Sequence, residues 1–220
     1  MGVTVVRGYV PKDLWYDYHT GKAVEVQGRF VDMDAPLTKI NLHVRAGHIL
    51  PWQKPESNTQ YSRLNPLGLI VALNDEGVAN GSLFWDDGEG IVQCCTGCAT
   101  EQVNYIRKSK HMELNVKMCT VYYDTVQNGL YLLTTFSVFD RTLTSEVSVN
   151  GLAEADRLTL GVVRVWGVTE EVSQVTMKVA GKPDANLIHS YDPEIKELQI
   201  NATSQSHTIE KSFTITWTTI

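Results

Sequence analysis

The chain has 220 residues, 43% hydrophobic and 20% charged, with a formal net charge of −6 at pH 7. This is the composition of an ordinary globular protein with enough apolar content for one large β domain or two small ones. The charge shows no long block of one sign, which argues against nucleic-acid binding through a basic surface. No stretch reaches the roughly 20 apolar residues of a membrane helix.

The N-terminus, Met1-Gly2-Val3-Thr4-Val5-Val6-Arg7, is too short for a secretion signal and lacks its cleavage pattern. On its own sequence the chain is expected to stay in the cytosol. Val24 and Val26 alternate with Glu25 and Gln27 as in a strand. Asp32-Met33-Asp34 precedes the turn Ala35-Pro36-Leu37. Ile40, Leu42 and Val44 then alternate with Asn41, His43 and Arg45, predicting a strand with one face buried. Gly47 permits a bend, and Pro51 stops the next short strand.

Leu69-Ile70-Val71-Ala72-Leu73 is a continuous apolar run suited to a strand covered on both faces. Asn74-Asp75-Glu76-Gly77 is turn chemistry, with Leu83-Phe84-Trp85 as the expected partner strand. Further strands are predicted at 130–136, 144–149, 162–166, 172–179, 198–200 and 213–217. In the last, Phe213, Ile215 and Trp217 alternate with Thr214 and Thr216. Short strands with frequent turns predict an all-β fold of two antiparallel β-sandwich domains, residues 1–90 and 123–220. Between them, 91–122 forms an irregular insert that holds Cys94, Cys95, Cys98, Cys119 and the basic run Arg107-Lys108-Ser109-Lys110-His111.

Several residue sets invite chemistry. Glycoside hydrolysis needs paired carboxylates across a scissile bond, but Asp32 and Asp34 read as a strand-to-turn connection. Asp86-Asp87-Gly88-Glu89 has the oxygen donors Ca²⁺ prefers, yet lacks the other ligands of a calcium loop and reads as an acidic turn. Cys95, Cys98, His111 and Cys119 have the ligand types of a structural zinc site. Disulfides and free thiols are the other readings of these cysteines.

His43 and His48 flank a bend and are expected to satisfy local hydrogen bonds. Trp85, Trp166 and Trp217 lie on strand patterns, so core packing is expected before sugar stacking. Asn80-Gly81-Ser82 and Asn201-Ala202-Thr203 are N-glycosylation sequons. Eleven asparagines would produce one or two by chance, and Asn80-Gly81 also reads as a type I′ hairpin turn.

Trp15-Tyr16-Asp17-Tyr18-His19-Thr20-Gly21 is followed by Ala35-Pro36-Leu37, by Ile40 through Gln53, by Asn58-Thr59, Ser62-Arg63 and Pro66-Leu67-Gly68, and by Leu83 through Glu89. This ordered set resembles the region just after the catalytic barrel in family-31 glycoside hydrolases, nearest the intestinal α-glucosidases of the maltase-glucoamylase and sucrase-isomaltase type. A looser resemblance to their distal C-terminal sandwich runs from Asp124-Thr125 through Leu130-Tyr131-Leu132 and Val165-Trp166-Gly167-Val168 to Phe213–Trp217. On that basis 91–122 is an added stretch, with a translated intron, an alternative exon or a gene-model error as its expected origin.

The resemblance implies a parent enzyme, extracellular and tethered to the apical membrane, that hydrolyses terminal α-glucosidic bonds with retention. Its nucleophile sits in a Trp-x-Asp-Met-Asn-Glu motif, which this chain lacks. No catalytic residue and no cofactor are expected here. The expected partners are the parent's catalytic barrel and, for a carbohydrate-binding module, α-glucan oligosaccharides.

Overall fold

A computed structural model describes residues 4–88, 129–153 and 155–220. The four cysteines, His111, Glu89 and the rest of the 91–122 insert lie outside the described residues, as do the zinc and disulfide readings.

The protein is almost wholly β. Its central feature is a sheet of eleven strands: β5 (His48–Gln53), β6 (Leu67–Ala72), β7 (Ala79–Trp85), β8 (Leu132–Phe139), β9 (Thr142–Asn150), β10 (Leu160–Trp166), β11 (Val172–Val179), β12 (Ala185–Asn186), β13 (Ile188–Asp192), β14 (Glu197–Asn201) and β15 (Phe213–Thr219). Their spatial order is β12-β11-β15-β9-β8-β7-β5-β6-β10-β14-β13. Only Leu187 separates β12 from β13, so the two ends of this order are covalent neighbours. The Leu187 N–H donates to Val175 O at 2.9 Å, which draws the sheet round into a barrel-like sandwich.

The alternation in β15 sends Phe213, Ile215 and Trp217 inward, where they are buried, as their period-2 pattern predicts. Strand β6 is buried along its whole length. Leu67, Leu69 and Val71 face the main core, while Ile70 and Ala72 face a smaller one built on Tyr16, Val44, Ala46 and Trp166. A continuous apolar run is what a strand between two cores requires.

Strands from both sides of residue 90 share this sheet and core. Ile49, Leu69 and Leu83 pack with Leu132, Val165 and Ile215. Strand β7 pairs antiparallel with β8, and β6 runs parallel to β10. That parallel pair departs from an all-antiparallel ladder, and the long chain path between β6 and β10 gives room for it.

The hairpin expected between Leu69–Leu73 and Leu83–Trp85 is not formed. Strand β5 lies between β6 and β7, antiparallel to the first and bridged in parallel to the second at His48 and Asn80. The turn itself is at Asn74, whose Oδ1 accepts from Glu76 N at 3.1 Å and Val78 N at 2.8 Å. Asn80-Gly81 is therefore not a type I′ turn but the interior of β7. A Cβ on Gly81 would overlap Ile49 O, so the glycine permits close approach of β5.

Two ribbons flank the large sheet. In one, β1 (Val5–Val10) pairs with β3 (Arg29–Asp34); in the other, β2 (Trp15–Asp17) pairs with β4 (His43–Arg45). The strand expected from Ile40 to Arg45 shortens to β4, and its apolar row is only partly buried. Val44 is covered, whereas Ile40 is 71% exposed and Leu42 44%. The ladder pairs Trp15, Tyr16 and Asp17 with Arg45, Val44 and His43, so among the described residues those before His43 have no strand partner. Val24–Gln27 likewise lies outside a ladder, though Val24 and Val26 are half-buried and Glu25 and Gln27 exposed.

Candidate functional site

Within residues 5–50, eight large apolar side chains are exposed. They are Val5, Val6 and Tyr9 on β1, Phe30 on β3, and Leu37, Ile40, Leu42 and Leu50. Tyr9 and Phe30 are register partners with ring centroids 5.3 Å apart, and the Arg7 guanidinium stands 5.8 Å from the Phe30 centroid.

Side-chain hydrogen bonds fix the turns of this segment. Asp17 Oδ1 accepts from His19 N at 3.0 Å, Thr20 N at 2.8 Å and Thr20 Oγ1 at 2.9 Å. Burial works against the Asp17 carboxylate, yet these bonds hold its pKa below the ordinary aspartate value. His19 Nε2 lies 2.9 Å from Ile40 O, which ties the turn to the apolar segment. Arg45 bonds the Asp13 carboxylate, and this bond together with the Leu14 N–H lowers the Asp13 pKa.

A second cluster joins motifs far apart in sequence. Arg63 places its guanidinium 4.0 Å from the Trp85 ring centroid and donates to Asp86 O. Asp86 Oδ1 accepts from Gly88 N at 3.0 Å, so the acidic segment is a self-capped turn. Its fourth acidic member, Glu89, is outside the described residues. Nothing in residue spacing links Arg63 to Trp85, and sequence reasoning missed this pairing.

Asp32 and Asp34 are exposed on β3, opposite Arg7 and Val5. Among the described residues no group of three or more His, Cys, Asp or Glu could hold a metal ion. His48 Nδ1 lies 3.1 Å from Ala46 O, the local bond expected of it. Trp166 and Trp217 are buried, and Trp85 is half-buried against the core. Asn80 and Asn201 are both exposed. Among the described residues no helix is long and apolar enough to cross a membrane.

Residues 1–50 match the family described as the glycosyl hydrolase family 31 C-terminal domain. The chain is 37% identical over 216 residues to intestinal sucrase-isomaltase from Homo sapiens, which covers 98% of this chain and 10% of that protein. It is 34% identical over 213 residues to probable maltase-glucoamylase 2 from Homo sapiens, covering 96% and 7% respectively. The chain thus spans about a tenth or less of the length of these relatives. In fold it superposes on the ER glucosidase II heterodimeric complex with a TM-score of 0.71 at 19% identity, covering 99% of this chain and 22% of that one. With the β-sandwich architecture, these likenesses place the chain in glycosyl hydrolase family 31, as a counterpart of its C-terminal region.

Proposed function

We propose that this chain is a non-catalytic supporting region of an α-glucosidase, docked against the parent's catalytic barrel through the apolar surface of residues 5–50. The observation that carries the reading is the exposure of Tyr9, Phe30, Leu37 and Ile40 within the segment matched by the family's C-terminal domain. In an isolated chain such side chains lose free energy to water, at about 25 cal/mol per Å² of apolar area left uncovered. A barrel packed over them recovers it.

The parent then supplies the catalytic aspartates and hydrolyses terminal α-glucosidic bonds in maltose-like or isomaltose-like oligosaccharides, in an extracellular or apical-membrane setting. Residues 1–90 and 123–220 correspond to its proximal and distal C-terminal domains, with strands shared across the boundary.

The test is to assay the purified 220-residue chain alone and with the separately expressed catalytic part. The reading expects no glucose from maltose by the chain alone. It also expects a complex that Phe30→Asp with Ile40→Asp weakens by at least tenfold. Glucose release by the chain alone overturns it. Saturable maltodextrin binding lost on Tyr9→Ala moves the function to a carbohydrate-binding module.

A further inference from the structure

We propose that Asn201 is an N-glycan attachment site and that its glycan covers the apolar margin of the sheet at Ile188. Asn201 ends β14 and opens the triplet Asn201-Ala202-Thr203. Its side chain is exposed, and its Oδ1 accepts from Thr203 N at 3.0 Å. With the oxygen turned to the backbone, the Nδ2 hydrogens face the other way. Ala202 is buried and donates its N–H to Gly161 O at 3.1 Å, which fixes the triplet on the surface, while Thr203 is exposed. The other sequon begins at the exposed Asn80, the second residue of β7, with His48 of β5 and Ser137 of β8 as its register partners.

A second observation concerns what surrounds Asn201. Its register partners are Ile188 on one side and Val162 on the other. Ile188 is 72% exposed; among the described residues β13 pairs with β14, and the Leu187 N–H just before it donates to Val175 O of β11. Directly opposed residues bring their Cβ atoms to about 5 Å. A sugar on Asn201 therefore starts beside the Ile188 side chain. An exposed apolar side chain invites contact with another chain, and a bulky solvated group beside it hinders that contact.

In the transfer, Asn201 Nδ2 bonds to the anomeric carbon of a lipid-pyrophosphate-linked oligosaccharide. The bond from that carbon to the pyrophosphate oxygen breaks, and the lipid pyrophosphate leaves with the electron pair. The amide loses one proton to a base of the transferase. Natural occurrence of this step rests on the secretory parent enzyme proposed above. A foreign secretion signal on the full chain tests the site independently of that reading.

The experiment maps the secreted chain by peptide mass after enzymatic glycan release, which converts an occupied asparagine to aspartate. The expected result is conversion at Asn201, abolished by Thr203→Ala and retained with Thr203→Ser. Thr203→Ala is further expected to self-associate at a several-fold lower concentration, with Ile188→Lys restoring the monomer. An unconverted Asn201 in secreted, folded chain overturns the attachment. Unchanged self-association in Thr203→Ala overturns the protective role.

Discussion

The Tyr16 hydroxyl donates to Leu73 O at 2.7 Å, so β2 is fixed to the end of β6 by a buried side chain. The same ring lies 5.8 Å from the Trp166 ring centroid. Two glycines make room for the arrangement. A Cβ on Gly21 would come within 2.6 Å of Trp166 Nε1, and one on Gly167 would overlap the Tyr16 hydroxyl. The motifs Trp15–Gly21 and Val165–Val168 are thus two halves of one contact, which seats the β2–β4 ribbon on the large sheet.

Tyr16→Phe keeps the ring and leaves Leu73 O without this donor. The expected loss is about 1–3 kcal/mol of unfolding free energy. Burial also raises the Tyr16 pKa from 10.0 to about 12. The folded state therefore favours the neutral phenol. Its stability contribution is full below pH 10 and declines as pH rises from 10 towards 12. Denaturant unfolding between pH 9 and 12 should show a steeper alkaline decline in wild type than in Tyr16→Phe.

Glycine substitutions separate close approach from backbone freedom. Gly81→Ala sets a methyl against Ile49 O, a backbone atom that moves only with β5. Gly77→Ala meets open space, but at φ +73°. Gly81→Ala is expected to lose about 3 kcal/mol or more, since overpacking alone takes about 1–3. Gly77→Ala is expected to lose about 1 kcal/mol. Equal urea midpoints for the two variants would contradict this account.

Much of the large sheet was legible because its signals are local. Phe213, Ile215 and Trp217 mark an inward face by alternation, and the run at Leu69–Leu73 marks a doubly covered strand. What was not legible depends on which partner a strand finds. Periodicity says that Ile40, Leu42 and Val44 share a face, but not that, among the described residues, Val44 is buried while Ile40 and Leu42 are exposed. Asn80-Gly81 carries a turn signal, yet the glycine serves the approach of β5. The Tyr9–Phe30 pair on the outward surface follows from the β1–β3 register, which no pattern inside either strand sets.

The Arg63–Trp85 contact predicts a difference between charge and shape. Arg63→Lys keeps the cation but not the planar group that covers the ring while donating to Asp86 O. Arg63→Ala removes both. Expected losses are about 0.5–2 kcal/mol for Arg63→Ala, the range of a partly desolvated cation–π contact, and a smaller loss for Arg63→Lys. Trp85 sits half-buried under the guanidinium, so its fluorescence should shift to longer wavelength in the alanine variant. An unchanged spectrum together with unchanged stability would show that the contact holds nothing in place.

His207 governs the acid side. It is buried, its Nε2 lies 2.9 Å from Lys211 O, and its Nδ1 has no hydrogen-bond partner among the described residues. The carbonyl fixes the proton on Nε2, leaving Nδ1 as the acceptor, and the imidazole meets the Phe213 ring edge-on with ring centroids 5.2 Å apart. Burial lowers the His207 pKa below 6.5; Lys182 and Lys211 add to the fall, while the bond to Lys211 O and the Glu210 carboxylate oppose it. The unfolded chain therefore takes up a proton at higher pH than the folded one. Above pH 6.5 the folded state has no proton penalty; as pH falls from there towards the lowered folded pKa, stability drops. His207→Gln retains a donor for Lys211 O and does not titrate. Its urea midpoint should stay flatter between pH 7 and 5 than that of wild type, and parallel curves would place the acid sensitivity elsewhere.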